Sequence, residues 1–168
     1  MVLGTASLIL AGCGATPNLG RVPIPIPPSD PTPVTAEAGQ PQLVAMGDAV
    51  RAIGPSGGVI LIQALGPEVV VPSPGPGGRP PDQAFATITI RASALSGPPL
   101  QVAAGDFQVI DDLGDTVAMT TDPAGGPVAG DAPVEFRLQG TINTGSGSLT
   151  WSPQGSPLVT WDFDIETD

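Results

Sequence analysis

From Gly58 onward, apolar and polar residues alternate with a period of two through much of the chain, which predicts strands and gives helices almost no support. Ala84–Leu95 sets Ile88, Ile90 and Ala92 on one face against Thr87, Thr89 and Arg91 on the other, the pattern of a half-buried strand. Gly58–Leu65 (GVILIQAL) is a continuous apolar run and predicts a strand buried on both faces. Leu100–Ala103 and Asp106–Ile110 form two short strands around Gly105, and Asp111–Asp115 is a turn leading into Thr116–Thr120. After a Gly-rich loop around Gly125, Gly126 and Gly130, Val134–Ile142 places Val134, Phe136 and Leu138 opposite Glu135, Arg137 and Gln139. Ser148–Ser152 and Leu158–Ile165 complete the set, presenting Leu149 and Trp151, then Val159, Trp161, Phe163 and Ile165. About eight strands, within a range of about seven to nine, separated by turn residues, predict an all-β, antiparallel β-sandwich.

Two stretches interrupt this pattern. Gly14–Gln42 holds eight of the 22 prolines, and IPIPP favours extended polyproline II geometry because proline fixes φ and lacks a backbone donor. It reads as a disordered tether that would reach about 80–90 Å at about 3.1 Å per residue. Gly66–Pro81, with six prolines and four glycines, reads as a long exposed loop in which Val69–Val71 adds at most a short edge strand.

The most specific motif lies ahead of the tether. Residues 2–12 (VLGTASLILAG) are apolar and end in small residues before Cys13. Leu10-Ala11-Gly12-Cys13 matches the bacterial lipobox, in which a peptidase cuts before a cysteine carrying a diacylglyceryl thioether. The run is far shorter than the roughly 20 residues that span a bilayer, so it reads as a signal segment. It lacks the usual Lys or Arg before the apolar stretch, as a start codon upstream of Met1 would explain. The expected organisation is a signal peptide at 1–12, a lipidated Cys13 with linker to 41, and a sandwich over 42–168.

Composition narrows the chemistry. Glycine and proline number 23 and 22 of 168 residues, but they concentrate in the two stretches above instead of marking the whole chain as disordered. There is no His, Tyr or Lys and one Cys, so imidazole bases, Ser-His-Asp or Cys-His nucleophiles and His-ligated metals are excluded. A net charge of -11 would repel a phosphate backbone, so no nucleic-acid partner is expected. With 4% aromatic residues, the core must come mostly from Val, Ile, Leu and Ala.

The carboxylates form two groups. Asp162, Asp164, Glu166 and Asp168 alternate with the apolar face of the last strand and read as a solvated face. Asp111, Asp112 and Asp115 lack the following Glu of an EF-hand, and neither group has the spacing of a calcium loop. An aspartic dyad would need an Asp-Thr/Ser-Gly motif, which is absent. Met46 and Met119 read as core filling, since two thioethers without His or a free Cys make a poor copper set. Trp151 and Trp161 read as core anchors.

Taken together, Ala86-Thr87-Ile88-Thr89-Ile90, Pro99-Leu100-Gln101-Val102, Asp106-Phe107, Asp111–Gly114, Leu138-Gln139-Gly140, Gly147–Trp151 and Leu158–Phe163 give a domain that resembles the immunoglobulin-like secreted antigens of mycobacteria and related actinobacterial lipoproteins of unknown function. The resemblance spans roughly Gln42–Asp168 and implies a small immunoglobulin-like sandwich displayed outside the cell, with no catalytic or cofactor residues to carry over. The lipobox and long tether depart from the simply secreted antigens. The expectation is a non-enzymatic protein without cofactor, held on the outer side of the cell membrane by the lipid on Cys13 and binding an envelope or extracellular partner. A carrier or chaperone holding a small apolar ligand between the sheets is the alternative.

Overall fold

The strongest alternation produces the longest strands. A computed structural model describes residues 32–73 and 82–165, and thirteen strand segments lie among them. In chain order they are β1 (Val34–Ala36), β2 (Gln42–Ala45), β3 (Ala49–Ile53), β4 (Val59–Val70), β5 (Gln83–Ser96), β6 (Leu100–Ala103), β7 (Phe107–Asp111), β8 (Thr116–Val117), β9 (Thr120–Asp122), β10 (Gly125–Val128), β11 (Val134–Asn143), β12 (Gly145–Trp151) and β13 (Val159–Ile165). One sheet runs β1-β3-β4-β5-β11-β9, the other β2-β13-β12-β7-β8, and β10 pairs with β6 in a small third sheet.

The two large sheets face each other as a β-sandwich around one core. In β5 the inward positions Ala84, Ala86, Ile88, Ile90 and Ala92 are all buried, and ten uninterrupted register pairs from Val134↔Ala92 to Asn143↔Gln83 place Phe136, Leu138 and Ile142 of β11 beside them. The opposing sheet contributes Val109, Leu149, Trp151, Val159, Trp161 and Phe163. Phe107 joins the layers: its ring stacks on Trp151 at a centroid distance of 6.1 Å and meets Phe136 of the other sheet edge-on at 5.7 Å. Both tryptophans are core anchors, as their apolar strand faces predict.

Seven of the eight segments expected from alternation lie on strands, and the sandwich is the expected fold class; the eighth, Thr116–Thr120, breaks at Ala118–Met119 into β8, which pairs with β7, and the start of β9, which pairs with β11 in the other sheet. The excess over eight comes from short or Gly-rich segments, several of only two to four residues, too brief to show a period. β1 falls inside the stretch assigned to the linker: the first strand begins at Val34, not after Gln42, because Ala36 packs fully buried where β1 pairs with β3. The pairing is not wholly antiparallel either, since β1 runs parallel to β3 and β2 parallel to β13.

Three further expectations change. Beyond Val59 the Gly58–Leu65 run is buried on one face only: Ile60, Ile62 and Ala64 point inward, while Leu61, Gln63 and Leu65 are half-exposed on the outer side. Val69 and Val70, where a short strand was allowed, are joined by Glu68 and continue β4 against Thr87, Ala86 and Phe85 instead of forming a separate edge strand, past an irregularity between Leu65 and Glu68. There Pro67 has no donor to give the ladder, and Gly66 sits at φ +113 with no room for a Cβ against Glu68 N and Thr87 O. The Gly125–Val128 stretch, expected as loop, is the strand that pairs with β6, and a Cβ on Gly125 would run into the Val102 carbonyl. The rest of the 66–81 segment, residues 74–81, lies outside the described residues, as do the tether before Thr32 and residues 166–168.

The two indoles differ in one respect. Trp161 Nε1 donates to the Asp48 carbonyl at 3.1 Å, pinning the turn between β2 and β3, whereas the buried Trp151 Nε1 has no partner among the described residues. Trp161→Phe is therefore expected to cost about 1 kcal/mol more than Trp151→Phe, the net worth of one hydrogen bond. Equilibrium urea unfolding of the two variants measures the difference, and equal losses would count against a role for the Asp48 contact.

Candidate functional site

The outer face of the five-stranded sheet is built from the polar positions of its strands. In β12 and β13 the even-numbered residues point outward, so Ser146, Ser148 and Thr150 lie beside Asp164, Asp162 and Thr160. β7 adds Gln108 and Ile110, β8 adds Thr116, and β2 adds Leu43 and Ala45 next to Thr160 and Asp162. Hydroxyl groups bridge the strands: Thr150 Oγ1 and Thr160 Oγ1 lie 3.0 Å apart, and Gln108 Nε2 donates to Thr116 Oγ1 at 3.0 Å.

A solvent-open hollow of about 840 Å³ on this face is lined by Ala45, Ser146 and Ser148 together with Leu43, Asp112, Asp162 and Asp164. Leu43 is 68% exposed on this face. Among the described residues no arginine lies on this face; Arg51, Arg91 and Arg137 project from the outer side of the other sheet, where Arg91 Nε pairs with Glu135 Oε2 at 2.7 Å.

The two carboxylate groups of the sequence meet here because the registers Gly147↔Asp111 and Ser146↔Asp164 bring the β7 turn beside the end of β13. Their roles diverge. Asp111, 8% exposed, is fully engaged: the backbone N–H groups of Leu113 and Asp115 donate to its Oδ1 at 3.1 and 2.9 Å, and Asn143 Nδ2 donates to its Oδ2 at 2.6 Å. Asn143 stands at the end of β11 and takes a hydrogen bond from Gln83 Nε2 at 3.1 Å, so this chain of polar contacts ties the two sheets together. Asp162 and Asp164 are exposed, as a solvated strand face predicts. Among the described residues no group of three or more carboxylates or thiols is placed to hold a metal ion.

Asn143 and Gln83 carry no sequence signal of their partnership, which crosses 32 and 60 positions. The Asp111 turn was legible, since an Asp accepting from backbone amides two and four residues on is a familiar turn device. Met46 and Met119 pack against the core, and Met119 Sδ covers Gly140. Cys13 and the motif residues Leu10, Ala11 and Gly12 lie outside the described residues.

No family model matches the chain, and no curated protein matches it. Solved structures do. A protein of Bacillus subtilis named as a lipoprotein, ycdA, aligns with a TM-score of 0.53 at 17% identity over 74% of this chain, which spans 40% of that one. The secreted protein MPT63 of Mycobacterium tuberculosis aligns with a TM-score of 0.52 at 13% identity, over 73% of this chain and 98% of its own. An uncharacterized β-sandwich protein of Clostridium difficile aligns at 0.43 and 11% identity, covering 74% and 95% of the two chains. The likeness is one of fold, and the expected resemblance to secreted mycobacterial antigens is met at that level alone.

Replacing Asp111 by Ala should lower stability by about 2–3 kcal/mol, because three donors lose a charged acceptor and one of them bridges the sheets. Asp162→Ala on the exposed face should stay within about 0.5 kcal/mol of the parent. Urea midpoints at constant slope report both, and similar losses for the two variants would mean that Asp111 does not hold the sheets.

Proposed function

We propose that the chain is a non-enzymatic, lipid-anchored protein of the outer cell surface whose sandwich binds an envelope or extracellular partner on the hollow face of the five-stranded sheet. The observation that carries this reading is the placement of open space. The region between the sheets is filled by side chains such as Trp151, Trp161, Phe136 and Ile88, each no more than 1% exposed, while the 840 Å³ hollow lies on the outside, lined by hydroxyls and carboxylates. A carrier of apolar ligands calls for the reverse arrangement, an apolar cavity between the layers.

The face favours a neutral or cationic partner. Asp112, Asp162 and Asp164 line the hollow with no arginine beside them among the described residues, so an anionic surface would meet like charge. Absent His and Lys, and with Asp111 held by three donors, the hollow offers exposed carboxylates and hydroxyls for hydrogen bonding and no paired acid and base. Anchoring rests on Leu10-Ala11-Gly12-Cys13, and an envelope or extracellular setting is in keeping with the lipoprotein and the secreted protein that share the fold.

Two experiments test the halves of this reading separately. Cys13→Ser should move the protein from the membrane fraction to the soluble fraction, and unchanged membrane retention would refute the anchor. Chemical crosslinking on intact cells should capture a partner with the parent chain, and Ser148→Arg, which fills the hollow, should abolish capture without shifting the unfolding midpoint. Undiminished capture would move the binding surface elsewhere.

A further inference from the structure

The way the chain enters and leaves the sandwich sets how it responds to pulling. The tether leads into β1 and β2, and β13 is the last strand among the described residues. β2 and β13 are neighbours and parallel, with Gln42, Leu43, Val44 and Ala45 registered on Val159, Thr160, Trp161 and Asp162. Tension that draws the N-terminal side of β2 backward and the C-terminal side of β13 forward therefore acts along the two strands in opposite directions. Under that load the inter-strand hydrogen bonds are sheared together, whereas an antiparallel pair pulled from adjacent ends opens one bond at a time.

Several contacts reinforce the pair. Gln42 N donates to Leu158 O and Met46 N to Asp162 O, both at 2.9 Å, and the alternation of a parallel ladder places the Val44 N–H between them on the same side. Trp161 Nε1 holds the Asp48 carbonyl just beyond β2, so the turn cannot follow β2 away without breaking a buried contact. Ahead of β2, β1 is parallel to β3 through Val34↔Val50, Thr35↔Arg51 and Ala36↔Ala52, so a pull on the N-terminal side must also part a second parallel pair, in the other sheet.

We infer that the β2–β13 pair, backed by β1–β3, is a shear latch that keeps the sandwich folded under tension between its N-terminal attachment and a partner held at β13. β13 also carries Asp162 and Asp164 in the lining of the hollow, so the attached end and the binding face meet at this pair of strands. The biological use of the latch rests on the anchored reading above; its mechanics do not.

Single-molecule force spectroscopy on the full chain tests it. The protein is pulled between its N- and C-termini, and in a second geometry between a handle at Ser146→Cys, made in a Cys13→Ser background, and the C-terminus. Ser146 lies opposite Asp164, so the second geometry peels the β12–β13 hairpin from its end. At equal loading rate the terminal geometry should need at least about twice the force, since forced unfolding reports the barrier and not the equilibrium stability. Val44→Pro, which removes a donor facing β13, should lower the terminal unfolding force and leave the peeling force unchanged. Leu43→Pro, whose lost donor faces away from β13, should leave both unchanged and guards against a general loss of folding. Equal forces in the two geometries, or equal effects of the two proline variants, would overturn the latch. Neither result bears on membrane retention of Cys13→Ser, so the two readings fail independently.

Discussion

With one cysteine in the chain, no internal disulfide can tie one sheet to the other, and the fold depends on burying the inward half of each alternating strand. That burial is carried largely by small and β-branched residues. Ala84, Ala86 and Ala92 in β5 let the layers approach closely, and a few large rings, Trp151, Trp161, Phe107 and Phe136, fill the space that alanines leave. Polar ties add to this filling, as in the Gln83–Asn143–Asp111 chain between the sheets.

What was legible in the sequence follows from length and regularity. β5 and β11 run for 14 and 10 residues with strict alternation, so their faces, and with them the sandwich, could be read directly. β1 has three residues and follows a proline-rich stretch, which hid the true start of the sheet. β4 was cut short because Gly66 and Pro67 resemble a loop opening, although an irregularity absorbs them and the strand resumes at Glu68. Its outer face was misread because Leu61 and Leu65 are apolar yet only half-covered; a single residue type does not reveal which side of a sheet has a neighbour.

The hollow was legible only in fragments. The carboxylates of β13 were correctly placed on one exposed side, but their meeting with the β7 turn depends on register between strands some 50 positions apart in sequence, and no local pattern encodes it. The small residues in its lining, Ala45, Ser146 and Ser148, carry no signal one by one and come together only through strand register. Charge is also sorted by sheet, with the described arginines on one outer face and Asp112, Asp162 and Asp164 at the other, an asymmetry invisible in a net charge of -11.

The crossing of the chain from one sheet to the other through the Glu37–Gln40 turn gives each sheet a short terminal strand at that margin. A shortened chain starting at Gln42 would keep β2 but strip β1 from β3, leaving the Val50–Ala52 stretch of β3 without its partner on that side. Such an edge invites a second copy to supply the missing strand, so the brief segment at Val34–Ala36 acts as a guard against self-association as well as an entry point.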